Sequence, residues 1–311
     1  MTVPISAIIC THNREEYLGK AIDSLLVQED VEYEIWVIDN ASSDRTAAIV
    51  EARMPHPRLH YYYEATLGLS VARNRGLGES QGEILAYLDD DAIASPRWLA
   101  TLLQAYRDNE KLAIAGGKVT LIWPENTEPP SWLSSSLAGN LGLYDLGAEL
   151  TLIKNPGLTP RGLNYSIRRS FLEKIGGFDV NLGRVGTSLL SNEELQMTEL
   201  ALNQGWQVAY IPAALVAHHV APERLNRNWF LRRGWWQGVS ECYRDRLAGR
   251  TQIKYLPAVG ERLIRGSYKW LKYAQDPALR FDNLVYIYSQ IGYLKTWLQT
   301  QITPANPQTP A

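Results

Sequence analysis

Short apolar runs separated by amphipathic stretches dominate the first two thirds of the chain. The runs Ile5–Cys10, Ile35–Ile38 and Ile84–Leu88 are almost entirely apolar, which is typical of strands buried on both faces of a parallel sheet. Between the first two runs, apolar residues over 18–26 recur at helical spacing. Strand, helix and strand in this order form a βαβ unit, and the alternation continues along the chain. The pattern predicts an α/β protein with a mostly parallel, doubly wound sheet.

This regular pattern is interrupted by residues 123–161, which are rich in Pro, Ser and Gly and show no sustained periodicity. Irregular segments of this length are often binding loops or lids, so a mobile flap over a site is one hypothesis. Further on, the pattern predicts a helix over Ser170–Ile175 and another from Ser191 to the glycine stop at Gly205. Two strand-like runs, 208–211 and 214–220, complete this part of the chain.

Polar side chains follow three of the predicted strands where each strand ends: Thr11 and Arg14, then Asp39, then Asp89, Asp90 and Asp91. The carboxyl ends of neighbouring parallel strands meet at one edge of a sheet, so these side chains are expected to converge. Mg²⁺ and similar cations bind carboxylates together with substrate phosphates, which makes Asp89-Asp90-Asp91 a candidate metal–nucleotide site. On an extended backbone, Asp89 and Asp91 would point to one side and Asp90 to the other.

A purely structural interpretation of these residues stays open at this point. The three acids would suit a solvated turn capping the helix that Ser95-Pro96 begins, and Asp39 would suit a cap for the turn over 41–44. Arg73 and Arg75 suit a diphosphate, because guanidinium pairs with phosphate oxygens, but they also suit an exposed basic helix face.

Composition restricts the cellular setting that we expect. The cysteines Cys10 and Cys242 are the only two in 311 residues, and neither has disulfide or zinc spacing, which indicates a reducing compartment. We find no signal-peptide pattern and no long apolar run, and therefore expect a cytoplasmic protein without a spanning helix.

Charge is divided unequally along the chain. Residues 1–222 hold 17 basic and 27 acidic residues, whereas residues 223–311 hold 14 basic and 6 acidic residues, a net of +8. Nine aromatic residues are interleaved with this basic charge: Trp229, Phe230, Trp235, Trp236, Tyr243, Tyr255, Tyr268, Trp270 and Tyr273. Such a region fits peripheral contact with anionic lipid at the inner face of the membrane, a platform that stacks acceptor sugars, or helices packed on a core. No recognised nucleic-acid-binding motif occurs, so we expect no nucleic acid partner.

Seven short motifs in sequence order resemble those of family 2 glycosyltransferases, which have the GT-A fold. The resemblance covers roughly residues 4–222, and the motifs are Ile9–Arg14, Asp39–Asp44, Gly68–Gly76, Asp89–Asp91, Gly162–Asn164, Gly176–Asp179 and Asn192–Glu194. It implies a GT-A catalytic domain over 1–222, followed by a helical basic and aromatic extension over 223–302. We expect the Pro-rich residues 303–311 to form a disordered tail.

The resemblance also implies an activity and a set of site residues. The activity is inverting transfer of a hexose from a nucleoside diphosphate sugar, with UDP as the first candidate nucleotide, to a glycan or lipid-linked saccharide in polysaccharide biosynthesis. The residues implied for the nucleotide are Thr11, Arg14, Asp39, Arg73, Asp89 and Asp90. Those implied for a Mg²⁺ or Mn²⁺ ion are Asp91, Asp89 and a histidine after the last strand, where strand alternation favours His218 over His219.

The catalytic base implied by the resemblance is one of the acids Glu193 and Glu194. Their spacing to the Gly205 stop puts Glu194 in the base position, where family members usually have Asp. Consecutive helix residues do not share a face, so one acid alone should serve as base. Because Glu194 stands where family members usually have Asp, a non-catalytic sugar- or nucleotide-binding protein stays an alternative. A sugar-nucleotide nucleotidyltransferase is a weaker alternative, because residues 11–14 are not a glycine- and lysine-rich triphosphate loop.

Overall fold

The computed structural model of the chain describes residues 3–186, 189–251 and 256–302. Two compact units divide these residues. The sheet unit consists of the chain up to Ile122 with Gly142–Val180 and Glu193–His219, and the helical unit consists of Trp123–Leu141, Asn181–Asn192 and the chain from Val220 onward. Tyr255 and the tail expected at 303–311 lie outside the described residues.

The sheet unit is built on one mixed sheet. Its strands are β1 (Ile5–Thr11), β2 (Tyr33–Asp39), β3 (Leu59–Tyr63), β4 (Ile84–Asp89), β5 (Ala92–Ala94), β6 (Leu112–Ile122), β7 (Thr151–Leu152), β8 (Asn164–Arg168) and β9 (Gln207–His219). Their order is β3-β2-β1-β4-β8-β6-β9-β5, and β7 pairs with β9. The helices of this unit are α1 (Glu15–Leu26), α2 (Thr46–Glu51), α3 (Leu69–Glu79), α4 (Trp98–Asp108), α6 (Arg169–Lys174) and α7 (Glu193–Asn203). Helix α5 (Ser135–Ala138) belongs to the helical unit.

The first four strands have the predicted parallel arrangement. Strand β1 lies between β2 and β4, with Thr11 opposite Asp39 and Cys10 opposite Asp89. Strand β8 then enters antiparallel between β4 and β6, so the sheet becomes mixed beyond β4. The fold class predicted from the sequence is confirmed, and the register brings the predicted polar strand ends to one edge.

One long strand, β9, replaces the two short strand-like runs expected at 208–211 and 214–220. Around Pro212 the pairing of β9 with the neighbouring β6 is irregular, and its register shifts between Gly117 and Val119 of β6. The strand continues through this irregularity. A side chain at Gly117 would collide with the carbonyl oxygen of Ala214, so glycine lets the two backbones approach closely here. The consequence is a continuous strand that ends at His219.

The helical unit contains α5 (Ser135–Ala138), α8 (Arg227–Leu247), α9 (Leu256–Lys272) and α10 (Pro277–Ile302). Helix α10 packs against both α8 and α9. Glycine permits close contact between α8 and α10, because a side chain at Gly238 would collide with the carbonyl oxygen of Ser289. Among the helices of the described residues, none has the combination of length and apolar content that crossing a bilayer requires.

The aromatic residues of the basic region divide between core and surface. Phe230 is fully buried, and its ring packs edge-on against Trp132 and Phe281. Tyr268, in contrast, is 63% exposed. Packing in the core therefore explains the presence of Phe230. It does not explain exposed aromatic residues such as Tyr268, which are available for contact with another surface.

Candidate active site

The loops that follow β1 and β2 are joined at the carboxyl edge of the sheet. The backbone N–H of Asn40 donates to the Thr11 carbonyl at 2.8 Å, and Nδ1 of His12 lies 2.8 Å from the Asn40 carbonyl oxygen. The side-chain oxygen of Asn13 accepts from the Ser43 N–H at 2.8 Å. These bonds fix the strand ends that the sequence predicted to converge.

Asp39 is buried at the end of β2, and both of its carboxylate oxygens accept hydrogen bonds. The Ser42 N–H donates to Oδ1 at 3.0 Å, and the Tyr61 hydroxyl donates to Oδ2 at 2.8 Å. Burial raises the pKa of Tyr61, and the bond to Asp39 raises it further. Asp39 thus caps the turn after β2, while its contact with a nucleotide remains a prediction.

The three acids after β4 do not continue as an extended strand. Strand β4 ends at Asp89, and Asp90 and Asp91 form the turn into β5. Both turn residues are buried, whereas Asp89 is partly exposed. The alternation expected through Asp91 is therefore wrong beyond Asp89, because a turn reverses the chain there.

The pKa of the buried Asp90 carboxyl is strongly raised. Burial raises the pKa of Asp90 to about 7, and the Asp91 carboxylate raises it as well. The Arg14 guanidinium and the Thr11 side chain act in the opposite direction. Thr11 and Arg14 therefore lie close enough to Asp90 to affect its pKa, and the sequence had predicted all three residues for the nucleotide.

Asp91 pairs with His218 across the β5–β9 ladder. Its Oδ1 lies 3.0 Å from His218 Nε2, and its Oδ2 lies 3.8 Å from the Arg14 guanidinium. The ladder sets Ala92 opposite His218, which brings the histidine to the turn acids. The ring of His219 lies instead 5.7 Å from that of Tyr17, so the structure brings His218, the favoured histidine, to Asp91.

A carboxylate beside an imidazole is a suitable pair of ligands for Mn²⁺ or a similar divalent cation. His218 is buried, and its Nδ1 has no hydrogen-bond partner within the described part of the chain. Asp89 does not join Asp91 and His218 in a three-ligand group: among the described residues, no three His, Cys, Asp or Glu side chains are grouped to hold a metal ion. The pair therefore fits a cation whose remaining ligands come from substrate phosphates and water.

Arg73 of α3 is buried between the two acids that begin α7. Its guanidinium donates to Glu193 Oε1 at 3.1 Å and to Glu194 Oε1 at 2.8 Å. The same guanidinium lies over the rings of Phe178 and Tyr87, at 5.4 and 5.9 Å from their centroids. Burial alone lowers the pKa of Arg73, but Glu194 and Glu193 outweigh it and the pKa is raised. The interpretation of Arg73 as part of an exposed helix face is wrong, because its guanidinium points into the protein.

Gly162 provides the space in which this cluster sits. A side chain at Gly162 would collide with Glu194 Oε1 and would come within 2.6 Å of an Arg73 guanidinium nitrogen. Glu193 is almost fully enclosed, with 3% of its side chain exposed, whereas 16% of the Glu194 side chain is exposed. Of the two acids, Glu194 is therefore the one that an incoming hydroxyl would reach.

Two further arginines differ from what the sequence indicated. Arg75, considered together with Arg73 for a diphosphate, pairs with Glu64 at 2.9 Å and with Glu79 at 3.4 Å. Arg161 was not singled out, yet its guanidinium lies 5.3 Å from the Tyr144 ring centre. Burial lowers the pKa of Arg161, while Tyr144 and Glu194 oppose that shift, so Arg161 adds positive charge near the candidate base. Its place between Pro160 and Gly162 carries no pattern that could have revealed it.

Comparison with known proteins gives consistent matches. The model of the family described as Glycosyl transferase family 2 matches residues 6–176. The glucosyl-dolichyl phosphate glucuronosyltransferase of Haloferax volcanii is 26% identical over 250 residues, which cover 78% of this chain and 78% of that protein. The succinoglycan biosynthesis protein ExoM of Rhizobium meliloti is 28% identical over 239 residues, which cover 75% of this chain and 72% of that protein.

Solved structures with a similar fold include two glycosyltransferases. The mannosyltransferase PcManGT from Pyrobaculum calidifontis, in complex with GDP-Man and Mn²⁺, matches with a TM-score of 0.57 and 16% identity, covering 99% of this chain and 77% of that one. GalNAc-T7, with UDP, GalNAc and Mn²⁺, matches with a TM-score of 0.56 and 16% identity, covering 78% of this chain and 51% of that one. These likenesses confirm the GT-A fold.

Proposed function

The chain belongs to glycosyl transferase family 2, and we propose that it transfers a hexose, with inversion, from a nucleoside diphosphate sugar to a glycan or lipid-linked saccharide. The observation that carries this proposal is the Glu194 carboxylate, held by the buried Arg73 in the same sheet unit as the Asp91–His218 pair. The names of the glucuronosyltransferase and of the succinoglycan protein support polysaccharide assembly as the setting.

Asp91 and His218 are the residues that would hold a divalent cation, Mn²⁺ or Mg²⁺. Such a cation, when bound, supplies positive charge that stabilises the departing diphosphate. Asp89, Asp90, Thr11, Arg14 and Asp39 line the strand ends where nucleotides bind in open α/β sheets. The Mn²⁺–nucleotide complexes of the two similar structures support this assignment.

Glu194 is proposed to act as the general base. It accepts the proton of the acceptor hydroxyl while that oxygen bonds to the anomeric carbon, and the bond from this carbon to the phosphate oxygen breaks with its electron pair leaving on the diphosphate. Attack from the face opposite the leaving group inverts the anomeric centre. Arg73 orients the Glu194 carboxylate by a charge-assisted hydrogen bond.

A donor screen tests this function directly. Purified protein would be heated with UDP-, GDP- and dTDP-sugars, each with Mn²⁺, Mg²⁺ or EDTA, because a ligand that binds the folded state raises the melting temperature. The donor that stabilises the protein would then be incubated with candidate acceptors and, separately, with water. We expect metal-dependent stabilisation by one donor, and release of its nucleotide. Stabilisation without nucleotide release under any condition would favour a non-catalytic binding protein.

A further inference from the structure

Helix α9 exposes an apolar ridge on one face. Ile264 is 74% exposed, Tyr268 63% and Leu271 65%. Their spacing of four and three residues stacks them along one side of the helix. Gly266 lies about half a turn away and is buried, since a side chain there would come within 3.1 Å of Tyr286 and Ile287 of α10. The helix therefore packs on α10 with one face and leaves an apolar face without cover among the described residues.

Each ridge residue is directly followed by an exposed basic residue: Arg265, Lys269 and Lys272. Consecutive helix residues lie about 100° apart, so these three cations form a row along one flank of the ridge. Glu261 is the only acid of α9, and its carboxylate is 3.8 Å from the Arg265 guanidinium. Helix α9 itself thus contributes the three cations of this row and one acid beside its apolar face, while Glu241 and Asp282 of the neighbouring helices line a pocket together with Arg265 and Lys269.

We propose that α9 docks on the surface of an anionic lipid bilayer. Ile264, Tyr268 and Leu271 would enter the boundary between headgroups and acyl chains, with Tyr268 placing an amphipathic ring there. The row of Arg265, Lys269 and Lys272 would meet the lipid phosphates. The docking itself does not depend on the proposed function. Only its benefit does, which is to bring the enzyme to a lipid-linked acceptor.

The charge pattern argues against antiparallel pairing of α9 with a second copy of the chain along the ridge. In an antiparallel two-fold pairing of α9 with itself, like flanks of the two helices face each other. The cation rows of both copies would then be brought together, which is unfavourable. Anionic phosphates complement the row instead.

Vesicle sedimentation of the full chain tests the proposal. Vesicles of phosphatidylcholine would be compared with vesicles that contain phosphatidylglycerol, at low and at high salt. We expect the protein to sediment with the anionic vesicles at low salt and to be released by high salt. Leu271→Ser and Lys272→Glu should each weaken binding roughly 10-fold. The matched controls Leu150→Ser and Lys174→Glu change exposed residues of the sheet unit and should bind as wild type.

The outcomes separate this inference from the proposed function. Glu194→Gln should sediment with anionic vesicles as wild type does, even though it should be inactive in sugar transfer. The docking proposal is overturned if wild type fails to sediment, or if Leu271→Ser and its control Leu150→Ser bind equally. It is also overturned if wild type is a dimer without lipid and Leu271→Ser is a monomer, because a second copy would then cover the ridge.

Discussion

The two acids that begin α7 both contact Arg73 but differ in exposure. Consecutive residues leave a helix in different directions, yet both carboxylates reach the same Arg73 guanidinium, each through a different nitrogen. Both contacts are possible because the long Arg73 side chain reaches the first turn of α7, where the two acids lie. What separates the acids is that Glu193 is enclosed and Glu194 is partly open to solvent. This difference supports the assignment of Glu194 as base.

Glu194→Gln is expected to lower turnover by about 100-fold or more, the scale of losing a general base. The amide keeps the volume of the carboxylate but does not accept the acceptor proton at neutral pH, while nucleotide and metal binding should stay nearly unchanged. Glu193→Gln should reduce turnover less and lower the melting temperature, because it weakens a buried pair with Arg73. Steady-state transfer assays and thermal melts measure both effects. An active Glu194→Gln beside an inactive Glu193→Gln would reverse the assignment.

Gly162→Ala tests the space around the Glu194 carboxylate. The added methyl group would displace Glu194 Oε1, and Arg73 cannot move aside easily because two acids and two aromatic rings hold it. A displacement near 1 Å lowers turnover by about 100-fold, so we expect a loss of that size in a transfer assay.

Gly78→Ala in α3 is the matched control for the Gly162 substitution. Nothing lies within 4 Å of a side chain added at Gly78. Alanine in a helix interior is favoured over glycine by about 0.5–1 kcal/mol, so this variant should be as stable as wild type or more stable, with normal turnover. Equal turnover in both variants would show that Gly162 does not limit the position of the base.

The position of a single residue could be predicted from the sequence where the residue follows the end of a strand. It was harder to predict where the position depends on contact with another side chain. The strand ends placed Asp39 and Asp91 at one edge of the sheet, as expected. Strand alternation favoured His218 over His219, and the structure brings His218 to Asp91. The burial of Arg73 was missed, because its acid partners are distant in sequence and meet it only through the topology.

Asn164, at the start of β8, forms hydrogen bonds to three other elements of the sheet unit: α4, β6 and β9. Its Oδ1 accepts from the Trp98 indole N–H of α4 at 2.8 Å. Its Nδ2 donates to the carbonyl oxygen of Lys118 in β6 at 3.2 Å and to that of Ala214 in β9 at 2.8 Å. Asn164 is fully buried, so these polar groups have no access to water if the side chain is removed.

Asn164→Ala is therefore expected to lower the free energy of unfolding by about 3 kcal/mol, because it leaves buried polar groups without partners. Urea denaturation of the whole chain measures the change. Asn283→Ala is the matched control, since Asn283 is only partly buried and its Nδ2 donates to the Leu279 carbonyl oxygen of its own helix in an exposed hydrogen bond. The control should change stability by less than about 0.5 kcal/mol. Equal losses in the two variants would mean that the Asn164 network adds nothing beyond an exposed bond.

Element types followed from the apolar periodicity, but strand direction did not. Strand β8, Asn164–Arg168, alternates polar and apolar residues, and this pattern does not fix whether a strand lies parallel or antiparallel to its neighbours. Its reversal between β4 and β6 was therefore not predicted. A turn at Asp90 and Asp91 was considered only as a solvated cap for the helix that Ser95-Pro96 begins. Its actual role, which is to lead from β4 into the short strand β5, was not predicted, because no glycine or proline marks it. Both features decide which acids face His218.

Ligand binding in the sheet unit should raise the melting temperature of the whole chain, because a ligand that binds the folded state stabilises it. A ligand at 100 times its dissociation constant stabilises the folded state by about 2.7 kcal/mol, which corresponds to a rise of about 5 °C in the melting temperature. We expect UDP or another nucleotide together with Mn²⁺ to give such a rise, and EDTA to remove it.

Asp91→Asn should abolish the metal-dependent part of this stabilisation. The amide has the volume of the carboxylate but lacks the negative charge that would hold a cation beside His218. Asp90→Asn is the matched neighbour: it changes a buried acid of the same turn, and it should retain most of the metal-dependent nucleotide affinity. Isothermal titration of each variant with nucleotide, with and without Mn²⁺, distinguishes the two residues. Equal metal-dependent affinity in wild type and Asp91→Asn would remove Asp91 from the metal site and would leave His218 without its proposed partner ligand.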